Sequence, residues 1–242
     1  MIQRIGVINK STVVSQADAA RMVNACNTQV ARDVAPAWGR IAVPVVLYPN
    51  ENTIPANAAR IYIFNDSDQA GALGYHTEYA GSVWGTVFAR TITSYGCPVL
   101  YNPANRQDLT VSSVLSHEVI ELLINPYVNQ WADGPLIAEG NQYAVEACDA
   151  VEANVYQIMA QAVKGQGQSV PVSVSNFLYP EYFNEDTPAR AKKDYMGLIT
   201  TPYTMTEYGY MIVRDTSGNE SAIFGAKYPD VLKALNEHSP KQ

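Results

Sequence analysis

The 242-residue sequence predicts an α+β fold: a mixed β-sheet, one helix carrying candidate active-site groups, and a smaller C-terminal lobe. Three observations lead there. Short apolar runs alternate with helical patterns through the first half of the chain. The run Val111–Ile124 is apolar on nearly every side yet contains three ionisable residues. After Pro126 the texture changes to loops and short strand-like runs ending in a hairpin pattern. The expected organisation is an N-terminal lobe, 1–125, with sheet and helix, and a C-terminal lobe, 126–242, together forming one compact unit.

The elements follow in order. IGVIN (Ile5–Asn9) reads as a strand. A helix follows, capped by Ser15 or Asp18, with Ala19, Met22, Val23 and Cys26 at helical spacing, stopping before Pro36. IAVPVVLYP is a strand in which Pro44 marks an edge or a bulge. ARIYIFND alternates apolar residues on both faces and reads as a central strand. The glycine-rich stretch containing Gly71, Gly74, Gly81 and Gly85 reads as a loop feeding the strand TVFARTI, and CPVLYN as a shorter strand. Asp108 or Thr110 caps the helix VSSVLSHEVIELLI, which ends before Asn125–Pro126. NQWADGP is a loop. YAVEACDAVEANVYQI is either a helix, by its alanine content, or a strand followed by a turn. VPVSVS starts a strand, TEYGYMIVRDTSGNESAIFG is a hairpin turning at 217–219, and YPDVLKALNEH is a terminal amphipathic helix.

Composition narrows the function classes. With 47% hydrophobic and 16% charged residues the chain is globular in character. A net charge of −7, with Lys192–Lys193 the densest basic pair, argues against nucleic acid. Cys26, Cys97 and Cys148 form neither a disulfide framework nor a CxxC metal motif and read as small buried hydrophobes. No apolar run reaches the length of a membrane span, and MIQRIGVINK lacks a signal-peptide core. The expected setting is the cytoplasm, or a virion if the gene is phage-borne.

The helix carries the chemistry. A helix apolar all round is buried, and buried charges need a partner or a metal. His117 and Glu121 are one turn apart on one face, with Glu118 beside them. This is the layout of HExxH, two metal ligands and a general base, with the second histidine replaced to give HExxE. A carboxylate ligand is compatible with Zn²⁺ and moves the site towards harder ions such as Mn²⁺, Fe²⁺ or Ca²⁺. A further ligand is required. Glu146, Asp149 and Glu152 in VEACDAVE are candidates, although such acids also suit a solvated face. Upstream, His76 could be a ligand, a hydrogen-bond donor to the transition state, or an ordinary loop histidine; His238 lies in a polar tail without an expected role.

The segments SHEVIELLINP, DQAGALGYH, GTVFART, EACDAVE and VSVSNFLYPEYF resemble a family of uncharacterised bacterial and phage proteins with a zincin-like layout, from STVVSQAD near the start to about Phe183. Zincin metallopeptidases, including the gluzincin branch, have a mixed sheet ending in an edge strand that binds substrate as an added strand, then an active-site helix, then a later glutamate ligand. The resemblance implies a metallopeptidase-like hydrolase with a divalent metal, Zn²⁺ if catalytic. It makes residues 86–91 the edge strand and His117, Glu121 and Glu146 the metal ligands. Glu118 becomes the general base, and Asp149 either orients His117 or replaces Glu146. His76 or Tyr143 would help hold the developing oxyanion. The competing expectation is a non-catalytic virion or assembly protein that keeps the layout and binds protein partners.

Overall fold

A computed structural model describes residues 2–69, 72–104, 109–135 and 140–227. The chain is mixed α+β, with several sheets and few helices. Strand β1 (Ile5–Asn9) is apolar and almost wholly buried, and it sits between two parallel partners, β2 (Val45–Tyr48) and β3 (Ala59–Phe64). Parallel neighbours need a crossover, and helix α1 (Gln16–Gln29) supplies the first. Ser15 caps it, its Oγ accepting from the Asp18 amide at 3.0 Å. The helical path does not stop before Pro36. It widens into a π-helical stretch, Val30–Val34, and ends in a short turn, α2 (Ala35–Ala37). Pro36 lies in that last turn, directly after the π-helical stretch.

Strand β4 (Gly74–Tyr79) and strand β5 (Ser82–Phe88) complete a five-stranded sheet of order β2-β1-β3-β5-β4. β3 is central, as its sequence predicts, and Pro44 immediately precedes the edge strand β2. β5 runs parallel to β3, whereas β4 is antiparallel to β5. Two corrections follow. The glycine-rich stretch is not a loop throughout: it holds the β4–β5 hairpin, closed by Ala80 (φ 52°) and Gly81 (φ 78°), the twist-matching turn of tight hairpins. The edge strand is β4, not residues 86–91, because β5 is paired on both sides and the chain turns into helix α3 (Ala89–Ser94) immediately after it.

CPVLYN is not a strand; its carbonyls at Pro98, Val99 and Leu100 receive the amides of Val111, Ser112 and Ser173. Helix α4 (Val111–Ile124) starts at Thr110, whose side chain accepts from the Ser113 amide while Ser113 Oγ accepts from the Thr110 amide. Asp108, the other candidate cap, lies outside the described residues. All fourteen residues of α4 are buried.

Beyond α4 the segment read as a loop contains β6 (Trp131–Asp133). The ambiguous stretch after it resolves as strand, turn, strand: β7 (Gln142–Ala144), a tight turn at Asp149–Val151, and β8 (Val155–Ala160). β8 pairs with β9 (Val170–Ser175). The predicted hairpin is β10 (Tyr210–Arg214) and β11 (Glu220–Phe224), in a second sheet of order β11-β10-β7-β6. The proposed terminal helix and His238 lie outside the described residues.

Packing explains why α4 has no exposed face. β4 and β5 cover one side, and β9 covers another. Its serines match that second neighbour: Ser112 Oγ donates to Ser173 O at 2.7 Å, and the Ser175 amide donates to Ser116 Oγ at 2.6 Å. The main core runs from Ile5 through α1, the sheet and α4 to Val172, Val174 and Phe177. It is therefore continuous across residue 125.

Candidate metal centre

Three parts of the chain converge on the inner face of α4. The helix contributes His117, Glu118 and Glu121. Strand β4 contributes His76. The turn after β7 contributes Glu146, Cys148 and Asp149. Alternate residues of a strand share a face, so Gly74, His76 and Glu78 lie on one side of β4. At Gly74 that side comes so close to α4 that an added Cβ would lie 2.7 Å from Glu118 Oε1 and 2.8 Å from Thr86 O. Glycine is needed here for space, and it lets the His76 ring reach the helix.

The resulting contacts centre on Glu121. Its Oε2 lies 3.1 Å from His117 Nε2 and 3.4 Å from His76 Nδ1, and its Oε1 accepts from the Cys148 amide at 3.2 Å. Glu118 Oε2 is 3.6 Å from His76 Nδ1, too long for a hydrogen bond. His76 Nε2 is 3.2 Å from Asn125 O and 3.9 Å from Glu146 Oε2. Asp149 Oδ1 lies 3.3 Å from His117 Nε2. Two groups offer ligand atoms all within 4.8 Å of one another: His76, Glu121 and Glu146, and His117, Glu121 and Cys148. Donors of one tetrahedral Zn²⁺ at about 2.0–2.3 Å are about 3.3–3.8 Å apart, so modest side-chain shifts could bring either group onto an ion.

The electrostatics are those of a crowded acidic interior. Burial opposes charge on His76, but the nearby Glu118, Glu121 and Glu146 carboxylates outweigh it and hold the imidazole well above its usual range. His117 is raised in the same way, against burial, chiefly by Glu121. Burial also opposes charge on Glu121, yet the two imidazoles hold it well below the usual carboxylate range. Glu118 goes the other way: burial dominates and pushes it up. Among the described residues, Glu118 Oε2 and Asp149 Oδ2 are buried without a hydrogen-bond partner. Such atoms are costly, and a cation is the partner that suits them. Buried His, Glu and Cys groups that could hold a metal ion are therefore present.

A cleft of about 270 Å³ opens beside the cluster, lined by Glu78, Tyr127, Trp131, Glu146, Arg214 and others. Glu146 belongs both to the cleft wall and to the first ligand group. Arg214 lies 3.7 Å above the Trp131 ring and bonds Glu220.

The six residues named from the sequence, His76, His117, Glu118, Glu121, Glu146 and Asp149, all meet here. Tyr143 is not free to hold an oxyanion, since its hydroxyl donates to Pro135 O at 3.1 Å. Cys148 was not among the candidates named from the sequence; its position between Glu146 and Asp149 is the signal that could have pointed to it. No family model matches the chain, and neither a curated protein nor a solved structure is significantly similar to it.

Proposed function

We propose that the chain is a metal-dependent hydrolase of zincin-like layout acting on peptide bonds, with its chemistry centred on Glu118 and Glu121. The observation that carries this reading is the convergence of two histidines, four carboxylates and a thiol on one buried helix face beside a cleft. The residues fit a divalent ion: buried carboxylate oxygens lack donors, and a His, Glu and Cys donor set favours Zn²⁺ over Mn²⁺, Fe²⁺ or Ca²⁺. His76, Glu121 and Glu146, or His117, Glu121 and Cys148, would hold it. When bound, such an ion supplies Lewis acidity that acidifies water and polarises a carbonyl.

The protein's own groups supply the rest. Glu118, raised by burial, suits a base that accepts a proton from the attacking water and returns it to the leaving amine. His76 Nε2 can donate to Asn125 O, which would leave Nδ1 facing Glu118 and Glu121. Substrate would lie along β4. The Phe88 amide bonds Leu73 O, so by the alternation of antiparallel ladders the backbone groups of Gly74, His76 and Glu78 face away from β5. An extended peptide added there runs beside His76 towards the cleft.

Metal content, measured by plasma mass spectrometry on protein purified without chelators or a histidine tag, tests the reading together with cleavage of a peptide library. A bound transition metal, its loss in Glu121→Ala, and cleavage that falls by about 10²–10⁴-fold in Glu118→Gln with metal retained are expected. Metal-free protein without cleavage would overturn the proposal and leave the structural-protein alternative.

A further inference from the structure

We infer that this centre holds two divalent cations, with Glu121 shared between them: one among His76, Glu121 and Glu146 on the cleft side, the other among His117, Glu121 and Cys148 on the inner side. The inference rests on the metal-dependent reading above and extends it from one ion to a pair.

Three observations carry it. First, the two ligand groups differ in every member except Glu121. His76 comes from the edge strand and His117 from the helix, and Glu121 Oε2 lies between them, 3.4 Å from one imidazole and 3.1 Å from the other. An ion that takes only one of these groups leaves the other histidine with its carboxylate and no metal. Carboxylates bridge paired ions about 3.5–4 Å apart in two-metal hydrolases.

Second, charge balance asks for two. Glu118, Glu121, Glu146 and Asp149 are each at most 4% exposed. Two imidazolium ions would neutralise half of their formal charge. One divalent ion with neutral histidine ligands also neutralises half. With the Cys148 thiolate that the inner ion would bind, the site carries five negative charges; two divalent ions compensate four of them, where one leaves three uncompensated in a place where such charge is expensive.

Third, each half retains a buried carboxylate oxygen without a hydrogen-bond partner among the described residues: Glu118 Oε2 beside His76, and Asp149 Oδ2 on the carboxylate beside His117. An ion in each half would place a cation near each of these oxygens, whereas a single ion would leave the other half's without one.

The two positions differ in chemistry. The cleft-side group has nitrogen and oxygen donors, and Glu146 lines the opening. The inner group includes the fully buried Cys148, whose thiol is pushed up by burial and becomes a ligand by losing its proton to solvent on metal uptake. The inner ion is thus the softer-ligated and slower to exchange.

The test is a Co²⁺ titration of chelator-stripped protein, following the ligand-field bands and the thiolate-to-cobalt charge-transfer band, with bound metal counted by mass spectrometry. Two equivalents are expected, with the thiolate band complete after one of them. His76→Ala should bind one equivalent and keep the thiolate band. Cys148→Ser should lose that band and keep the remaining ligand-field absorption. Stoichiometry and band are both read on the unaltered chain, so the result does not depend on either variant folding. One equivalent, with or without the thiolate band, overturns the pair and leaves a single-metal hydrolase standing. No cobalt uptake overturns both.

Discussion

Two buried polar clusters in this protein have opposite character. In the loop region after β9, Asp194 is fully buried, yet each oxygen is met: Oδ1 accepts from the Ile199 amide at 2.8 Å, and Oδ2 from Asn176 Nδ2 at 2.7 Å. Asn176 Oδ1 in turn accepts from the Phe177 and Met196 amides. Neighbouring Lys193, also fully buried, gives its ammonium to the carbonyls of Pro188 and Ala191. That cluster is closed. The α4 centre gathers four carboxylates around two histidines and, among the described residues, leaves the Glu118 Oε2 and Asp149 Oδ2 oxygens without donors. Burial of charge alone therefore does not mark a functional site. The discriminating feature is acceptors in excess of donors, in a place a ligand can reach.

The largest expected effect would sharpen this contrast from the closed side. Asp194→Ala strands two buried donors and should cost about 3 kcal/mol in urea unfolding, with bound metal per folded chain unchanged. A stability loss under 1 kcal/mol, or a loss of metal, would break the comparison. Next in size is removal of metal from the open cluster. An ion present at about 100 times its Kd contributes about 2.7 kcal/mol. For a chain of this length, chelation should lower Tm by roughly 5–10 °C. The same chelator should leave metal-stripped protein unmoved.

The pH dependence of the metal-free protein follows in size, and its sign is set by the histidines. Both are raised in the fold, so the stability they contribute is complete below their ordinary value of 6.5 and declines as pH rises through their folded values. Glu118, also raised, adds in the same direction. Glu121 is depressed, so its contribution is present above 4.5 and lost as pH falls through its folded value. Metal-free protein should be most stable in mildly acidic solution and lose Tm from about pH 6.5 upward. Metal-loaded protein should do the reverse, because ligands must be deprotonated to bind. Parallel thermal scans of the two forms check this; curves of equal slope would mean that the histidines are not ligands.

Much of this was legible in the residues, and the rest was hidden for identifiable reasons. The buried helix declared itself because the apolar residues of VSSVLSHEVIELLI cover both sides of the wheel, so any charge on it required a partner. β1, β3, β9 and the β10–β11 hairpin were legible from β-branched runs and turn residues. The β4–β5 hairpin was not. Its turn is Ala80–Gly81 rather than Asn-Gly, and GYHTEY has no apolar alternation because one face of that strand meets the polar centre. This hid the true edge strand and left His76 looking like a loop residue. CPVLYN misled in the other direction: its carbonyls serve α4 and β9 individually instead of forming a ladder. Cys148 was set aside because an isolated cysteine is usually a small buried hydrophobe, and no spacing rule reports that a turn folds it back beside Glu121.

The smallest predicted effect is the most pointed, because it reverses the usual sign for a buried polar substitution. Glu118→Gln preserves shape and removes a carboxylate held above its usual range by burial, with one oxygen lacking a hydrogen-bond donor. In metal-free protein the change should leave stability unaltered or raise it by up to about 1 kcal/mol, since an unmet buried acceptor and its repulsion towards Glu121 are both relieved. The matching change in the closed cluster, Asp194→Asn, replaces an acceptor with a donor facing Asn176 or Ile199 and should destabilise. Urea unfolding of both variants, stripped of metal, makes the comparison directly. If Glu118→Gln loses as much as Asp194→Asn, Glu118 has a structural donor and the open cluster is as closed as the other. If only Asp194→Asn destabilises, Glu118 is kept at a cost to the fold, which is consistent with the proposed role as a base.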